Sequence, residues 1–188
     1  MAKKLDEKEF KRTLSEGLKY PWAKAGRLWN ILWILLPIYG WFALMGYVKK
    51  IVRDLVNGKM AELPKFGSSW KNFKDGMIVF IFLIPTMIAL GLLNIIPFAG
   101  TAAYFLASIF LLPWLVINFM VKETFDSLWE LKNAFNNVFN NAVEYIFVYL
   151  KTLVFIIIYS ILSFVLVGIP CYMFGYPYFL AGFYRRYH

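Results

Sequence analysis

At 188 residues, 61% of them apolar and 20% aromatic, the chain carries more apolar surface than a globule of its size can bury, so lipid must solvate much of it. A formal charge of +9 would suit nucleic acid on a soluble domain, but the basic residues border apolar stretches and no nucleic-acid module accompanies them; anionic lipid headgroups are the expected partner, and nucleic acid is not. Cys171 and His188 are the only residues of their kinds, which excludes an internal disulfide and a zinc or iron–sulfur ligand set, and no cofactor is expected.

Residues 1–20 place Phe10, Leu14 and Leu18 four apart amid charges, the pattern of a surface helix on the cytoplasmic side of a membrane. No short basic region with a small-residue cleavage site follows, so the N-terminus is expected to be retained. Residues 28–48 are uncharged but interrupted by Pro37 and Gly40, and both flanks are basic. A single kinked span would set both flanks against the positive-inside rule. A hairpin over 21–57, short or re-entrant, resolves this. Pro21 would open its first arm, running to Leu36, with Lys24 and Arg27 snorkelling toward headgroups. A second arm would run from Trp41 to about Val56. Lys49, Lys50 and Arg53 then anchor it at the cytoplasmic boundary, Asn57-Gly58 caps it, and Ser69 is a plausible N-cap for the next helix.

Residues 76–121 contain no Asp, Glu, Lys, Arg or His. A span needs about twenty apolar residues, so the stretch has length for two, turning at Ile95–Gly100, where Pro97 cannot donate and Gly100 tolerates positive φ. This is the central hairpin, 70–121. Pro85 and Pro113 would break its two arms at similar depth. Such breaks either free backbone groups for a transport pathway or are ordinary kinks, repaired by Thr86 and neighbouring helices. Gly100, Ala103 and Ala107 form a small-residue face suited to close helix packing.

Residues 125–141 read as an interfacial amphipathic helix, and 142–184 as a last span ending at Gly168-Ile169-Pro170, followed by a short return arm and the basic anchor Arg185-Arg186. Glu123, Asp126 and Glu130 share roughly one helical face and read as a solvated surface. Glu144 and Lys151 stand near two helical turns apart at the start of the last span, a polar pair that could join an ion path. Each apolar block holds an apolar–Pro pair followed by Gly: Leu36-Pro37 with Gly40, Ile96-Pro97 with Gly100, Ile169-Pro170 with Gly175.

The succession Tyr20-Pro21, Leu36-Pro37, Gly46-Tyr47, Asn57-Gly58 and Leu63-Pro64 resembles the opening of an integral membrane family known mainly from archaea and some bacteria, domain-of-unknown-function family 4013. Trp70, Asp75-Gly76, Asn133-Ala134-Phe135 and Phe183-Tyr184-Arg185 extend the similarity downstream, while the Asn-rich 136–141 departs from the more charged sequence of the family. The resemblance implies a membrane topology and no activity.

The expectation is an all-α polytopic membrane bundle, one domain over 1–188, built of three Pro-turned hairpins with four to six membrane helices. Both termini would face the cytoplasm across the cell membrane. No serine has a histidine to activate it and no phosphate-cradling loop is present, so an enzyme is not expected. The leading reading is a structural or accessory subunit packing beside a membrane partner or its own copies. The alternative is a small oligomeric transporter or channel using the Pro-broken central hairpin.

Overall fold

A computed structural model describes residues 13–188; the part of the surface helix expected over 1–12, Phe10 included, lies outside the described residues. The chain is helical from α1 (Leu14–Lys19) onward. Thr13 opens α1 with a capping box, its hydroxyl accepting the Glu16 N–H while the Glu16 carboxylate accepts its own. Rather than lying free on a surface, α1 packs on protein. Gly17 sits under the Phe179 ring, 2.1 Å from where a Cβ would stand, and the Leu18 carbonyl accepts the Tyr159 hydroxyl at 2.6 Å.

Pro21 starts α2 (Pro21–Leu35), as expected of a residue with no N–H to lose in a first turn. This arm is wound as a 3-10 helix and broken at Lys24, whose φ is −137°. Helix α3 (Tyr39–Val56) follows, and Phe66 packs against both Trp33 of α2 and Tyr47 of α3. Helix α3 turns one face to the core: Tyr47, Ile51, Val52 and Leu55 are all buried. Asn57 caps it and Gly58 turns away at φ +86°. An extended strap, 59–67, then lies back along these helices, held by the Tyr47 hydroxyl on the Pro64 carbonyl (2.7 Å) and the Asn72 amide on the Phe66 carbonyl (2.9 Å).

Next come α4 (Ser69–Leu93), capped by Ser68 and not by Ser69, then α5 (Ala99–Leu106), a π-helical segment Ala107–Leu111, and α6 (Leu112–Lys122). The expected interfacial helix 125–141 is two pieces. A 3-10 turn Phe125–Leu128 is followed by α7 (Leu131–Phe139), with a break at Trp129-Glu130 that sends the chain onto the protein. After α8 (Ala142–Leu162), the return is longer than a short arm. Helices α9 (Gly168–Gly175) and α10 (Pro177–Tyr187) run almost without interruption, and Tyr178 through Ala181, Phe183 and Tyr184 are buried.

Three tight turns share one backbone design. Across Ile38 (φ 64°, ψ −66°) the Tyr39 N–H donates to the Pro37 carbonyl at 2.7 Å. Across Phe98 (φ 60°, ψ −66°) Ala99 donates to Pro97 at 2.7 Å, and across Leu166, nearer the left-handed helical region (φ 60°, ψ −29°), Val167 donates to Val165 at 2.7 Å. These are γ-turns with a positive-φ centre, a strained form. Each has glycine two residues on. A Cβ at Gly40 would stand 1.6 Å from the Trp33 carbonyl oxygen and one at Gly100 1.8 Å from that of Leu93, so no side chain fits. The third turn therefore sits at Val165–Gly168, ahead of the Ile169-Pro170 expected. Pro170 lies in the first turn of α9, where N–H groups lack intrahelical partners anyway.

Among the described residues, three helices are long and apolar enough to cross a membrane: Ser69–Leu93, Ala99–Lys122 and Ala142–Val165. At 1.5 Å per residue α4 is about 37 Å long, against a hydrocarbon core of about 30 Å. Helices α3 and α4 pack closely at Gly46 and Gly76. The aromatic core, which includes Trp114, Phe119, Phe155, Phe174 and Tyr184, gathers between α6, α8 and the α9–α10 return.

Candidate functional site

Two regions concentrate chemistry. The first is a cleft of about 330 Å³ between α3, the strap and the start of α4, lined by Lys49, Lys50, Arg53, Lys59 and Lys71 with Asp54 and Asp75. Helical spacing puts Lys49 and Arg53 one turn apart on α3. The Lys49 stem is buried to 2% exposure, and a buried ammonium must be paired. Its Nζ reaches Asp75 Oδ1 at 3.1 Å and Glu123 Oε1 at 3.0 Å. Arg53 shares Glu123 at 2.5 Å, Lys59 pairs with Asp54 at 3.3 Å, and Lys50 donates to the Lys65 carbonyl at 2.7 Å. Burial works to raise the Glu123 carboxyl, but the Lys49 and Arg53 charges outweigh it and hold the group below its ordinary range. Glu123, still 42% exposed, is thus also an ion-pair partner of Lys49 and Arg53.

The second region surrounds the proline breaks. Pro113 in the first turn of α6 cannot donate to the Ile109 carbonyl four residues back. The π-helical segment widens the helix there, and the Tyr145 hydroxyl of α8 donates to that carbonyl at 2.6 Å. Pro85 lies inside α4. The repair expected from Thr86 is not made: its hydroxyl is buried, at 6% exposure, with no hydrogen-bond partner among the described residues. It faces a cavity of about 230 Å³ whose other lining is aliphatic and aromatic, including Leu90, Ala107, Leu111, Leu115 and Trp129. Ala107 thus borders this cavity, while Ala103 is exposed and Gly100 serves the turn.

The remaining sequence candidates lie apart from both regions. Lys24 and Arg27 converge on Glu62 of the strap, at 3.5 and 3.0 Å, and the Arg27 hydrogen bond holds that carboxyl below its ordinary range. Arg185 lies over Gly58. Glu144 and Lys151 line one groove of about 690 Å³ with Phe147, Phe179 and Phe183, but the Glu144 carboxylate is bonded by Arg186 at 2.9 Å and by the Tyr187 hydroxyl.

Sequence reasoning missed a buried polar chain. The Tyr184 hydroxyl donates to Asn118 Oδ1 at 2.7 Å, and Asn118 Nδ2 donates to the Ser127 carbonyl at 2.8 Å. Asn118, one of two asparagines inside the uncharged stretch, was the available signal. Beside it Lys122 grips Glu130 at 2.7 Å, and that hydrogen bond lowers the Glu130 carboxyl. Among the described residues no group of three His, Cys, Asp or Glu side chains comes together as a metal site would require.

The family model described as "Protein of unknown function (DUF4013)" matches residues 30–169. The chain belongs to that family. No curated protein and no solved structure matches it.

Proposed function

We propose that this member of the family is a multi-pass protein of the cell membrane with a structural or accessory role, both termini on the cytoplasmic side. It would pack beside a membrane partner or copies of itself. The observation that carries this reading is the hydrogen bond from Tyr145 to the Ile109 carbonyl. A discontinuous helix supports transport when its freed backbone groups are open to a solute; here the group freed by Pro113 is occupied from within the chain. The cavity on the other break is apolar apart from Thr86, which suits packing better than a solvated path. Within the chain, α4 and α8 leave large apolar side chains exposed, among them Phe80, Ile81, Ile88, Phe147, Ile157 and Ile161, so broad apolar faces remain for lipid or neighbouring helices.

The unpaired Thr86 hydroxyl beside Pro85 supports one alternative, a small oligomeric transporter or channel. Reconstitution in liposomes separates the two. The accessory reading expects no solute or ion flux above empty vesicles. Flux that disappears in a Pro85→Ala, Pro113→Ala variant would establish the alternative. Orientation is tested separately, by maleimide labelling of Gly58→Cys in a Cys171→Ser background. Protection in intact cells and reaction after lysis are expected; labelling from outside would reverse the topology.

A further inference from the structure

We propose that the cleft between α3, the strap and α4 is a specific site for a phosphate group, carried by a phospholipid head or a small phosphate ester; the lipid source rests on the membrane reading above. The lining holds five cations and two carboxylates, and Glu123, which joins Lys49 and Arg53 from α6, adds a third. Two positive charges remain in excess within about 330 Å³. The charges are also sorted by depth. Lys49 is immobilised between Asp75 and Glu123 as the cleft floor. Lys50 is fixed at one edge by a single bond to the Lys65 carbonyl, which leaves it further N–H donors. Lys71, exposed in the first turn of α4, lines the same cleft and is close enough to Glu123 to bear on its titration.

Ammonium groups supplied by two helices beside a neutralised floor suit an anion with several acceptor oxygens, since each lysine can take a separate oxygen and the excess charge is offset. The same cluster repels itself when empty. Consecutive segments α3, the strap and α4 form this cleft, and Glu123 joins it from the end of α6, so an anion seated there ties α3 to α4 and should stabilise the fold. A purely diffuse basic flank would show neither effect, because screened attraction to an anionic surface does not depend on which lysines supply it.

The test uses the full chain in nanodiscs, with thermal unfolding and binding as readouts, in two arms. One adds glycerol phosphate or inorganic phosphate to phosphatidylcholine discs; the other replaces part of the phosphatidylcholine by phosphatidylglycerol with no phosphate in solution. At least one arm should raise the unfolding midpoint, and the arm that responds identifies the source. The double variant Lys50→Gln, Lys71→Gln, whose side chains lie at the rim, should keep the wild-type helix content yet bind about tenfold more weakly. The control Lys19→Gln, Lys132→Gln, on exposed positions of α1 and α7 away from the cleft, removes equal charge elsewhere and should respond as wild type. No stabilisation in either arm, or equal loss in rim and control variants, overturns the site. Failure of the membrane reading would appear differently, as a chain that does not enter discs at all.

Discussion

Gly46 and Gly76 bring α3 and α4 backbone to backbone. A Cβ on Gly46 would stand 1.9 Å from the Asn72 carbonyl oxygen, and one on Gly76 1.8 Å from that of Phe42. The relation is reciprocal, each glycine seated on the carbonyl four residues before the other. Such proximity lets dispersion and weak Cα–H contacts accumulate along two helices, as small-residue faces do in membranes.

Gly46→Leu or Gly76→Leu should therefore force the helices apart. The clash is with main chain, which cannot rotate away, so the loss should reach or exceed about 3 kcal/mol. Thermal unfolding in detergent measures it, and an unchanged midpoint in both variants would refute the crossing.

Tyr145 and Pro113 should be energetically coupled. Tyr145→Phe strands the Ile109 carbonyl in an apolar environment at a cost of about 1–3 kcal/mol. With Pro113→Ala, residue 113 regains an N–H able to satisfy that carbonyl, and Tyr145→Phe should then cost less. A double-mutant cycle checks this; strictly additive effects would mean the hydroxyl does not serve the break.

Acid should weaken the fold through Glu123 and Glu130. Both titrate below the ordinary carboxylate value of 4.5 in the folded chain. Their contribution is then complete above that value and is lost as pH falls through the folded-state values. In unfolding midpoints from pH 7 to 3, Glu123→Gln with Glu130→Gln should start lower at neutral pH and show a flatter acid limb. Parallel acid limbs in variant and wild type would contradict the assignment.

Ile38 and Phe98 occupy φ of 64° and 60°, conformations costing roughly 1–3 kcal/mol for residues with side chains. Both are exposed, so little packing is lost on their removal. Ile38→Gly and Phe98→Gly should each raise stability by about 1 kcal/mol, after allowing for the freer unfolded chain. Gly40→Ala, by contrast, should be strongly destabilising. Equal behaviour of the three variants would argue against the shared turn.

Much of the helix plan is local, and so was legible in the residues themselves. Apolar length marks α4, α5–α6 and α8, Pro21 and Asn57-Gly58 bound the first helices, and Pro37–Gly40 and Pro97–Gly100 locate two turns. Proline and glycine act on the backbone within a few residues, which is why their positions suffice. The third turn escaped because Val165 takes the place proline holds in the other two, and the backbone design matters there more than the residue type. The family resemblance carried by Tyr20-Pro21 through Leu63-Pro64 is a family membership, though it brings no activity. Tertiary structure alone decided where the charges go. Lys49, read as a headgroup anchor, is a buried cation because Asp75 and Glu123 arrive from two other helices. Pro113, read as a break, is repaired because Tyr145 arrives from a third. Partners this far apart in sequence are brought together only by the crossing of helices, and no spacing along the chain encodes that.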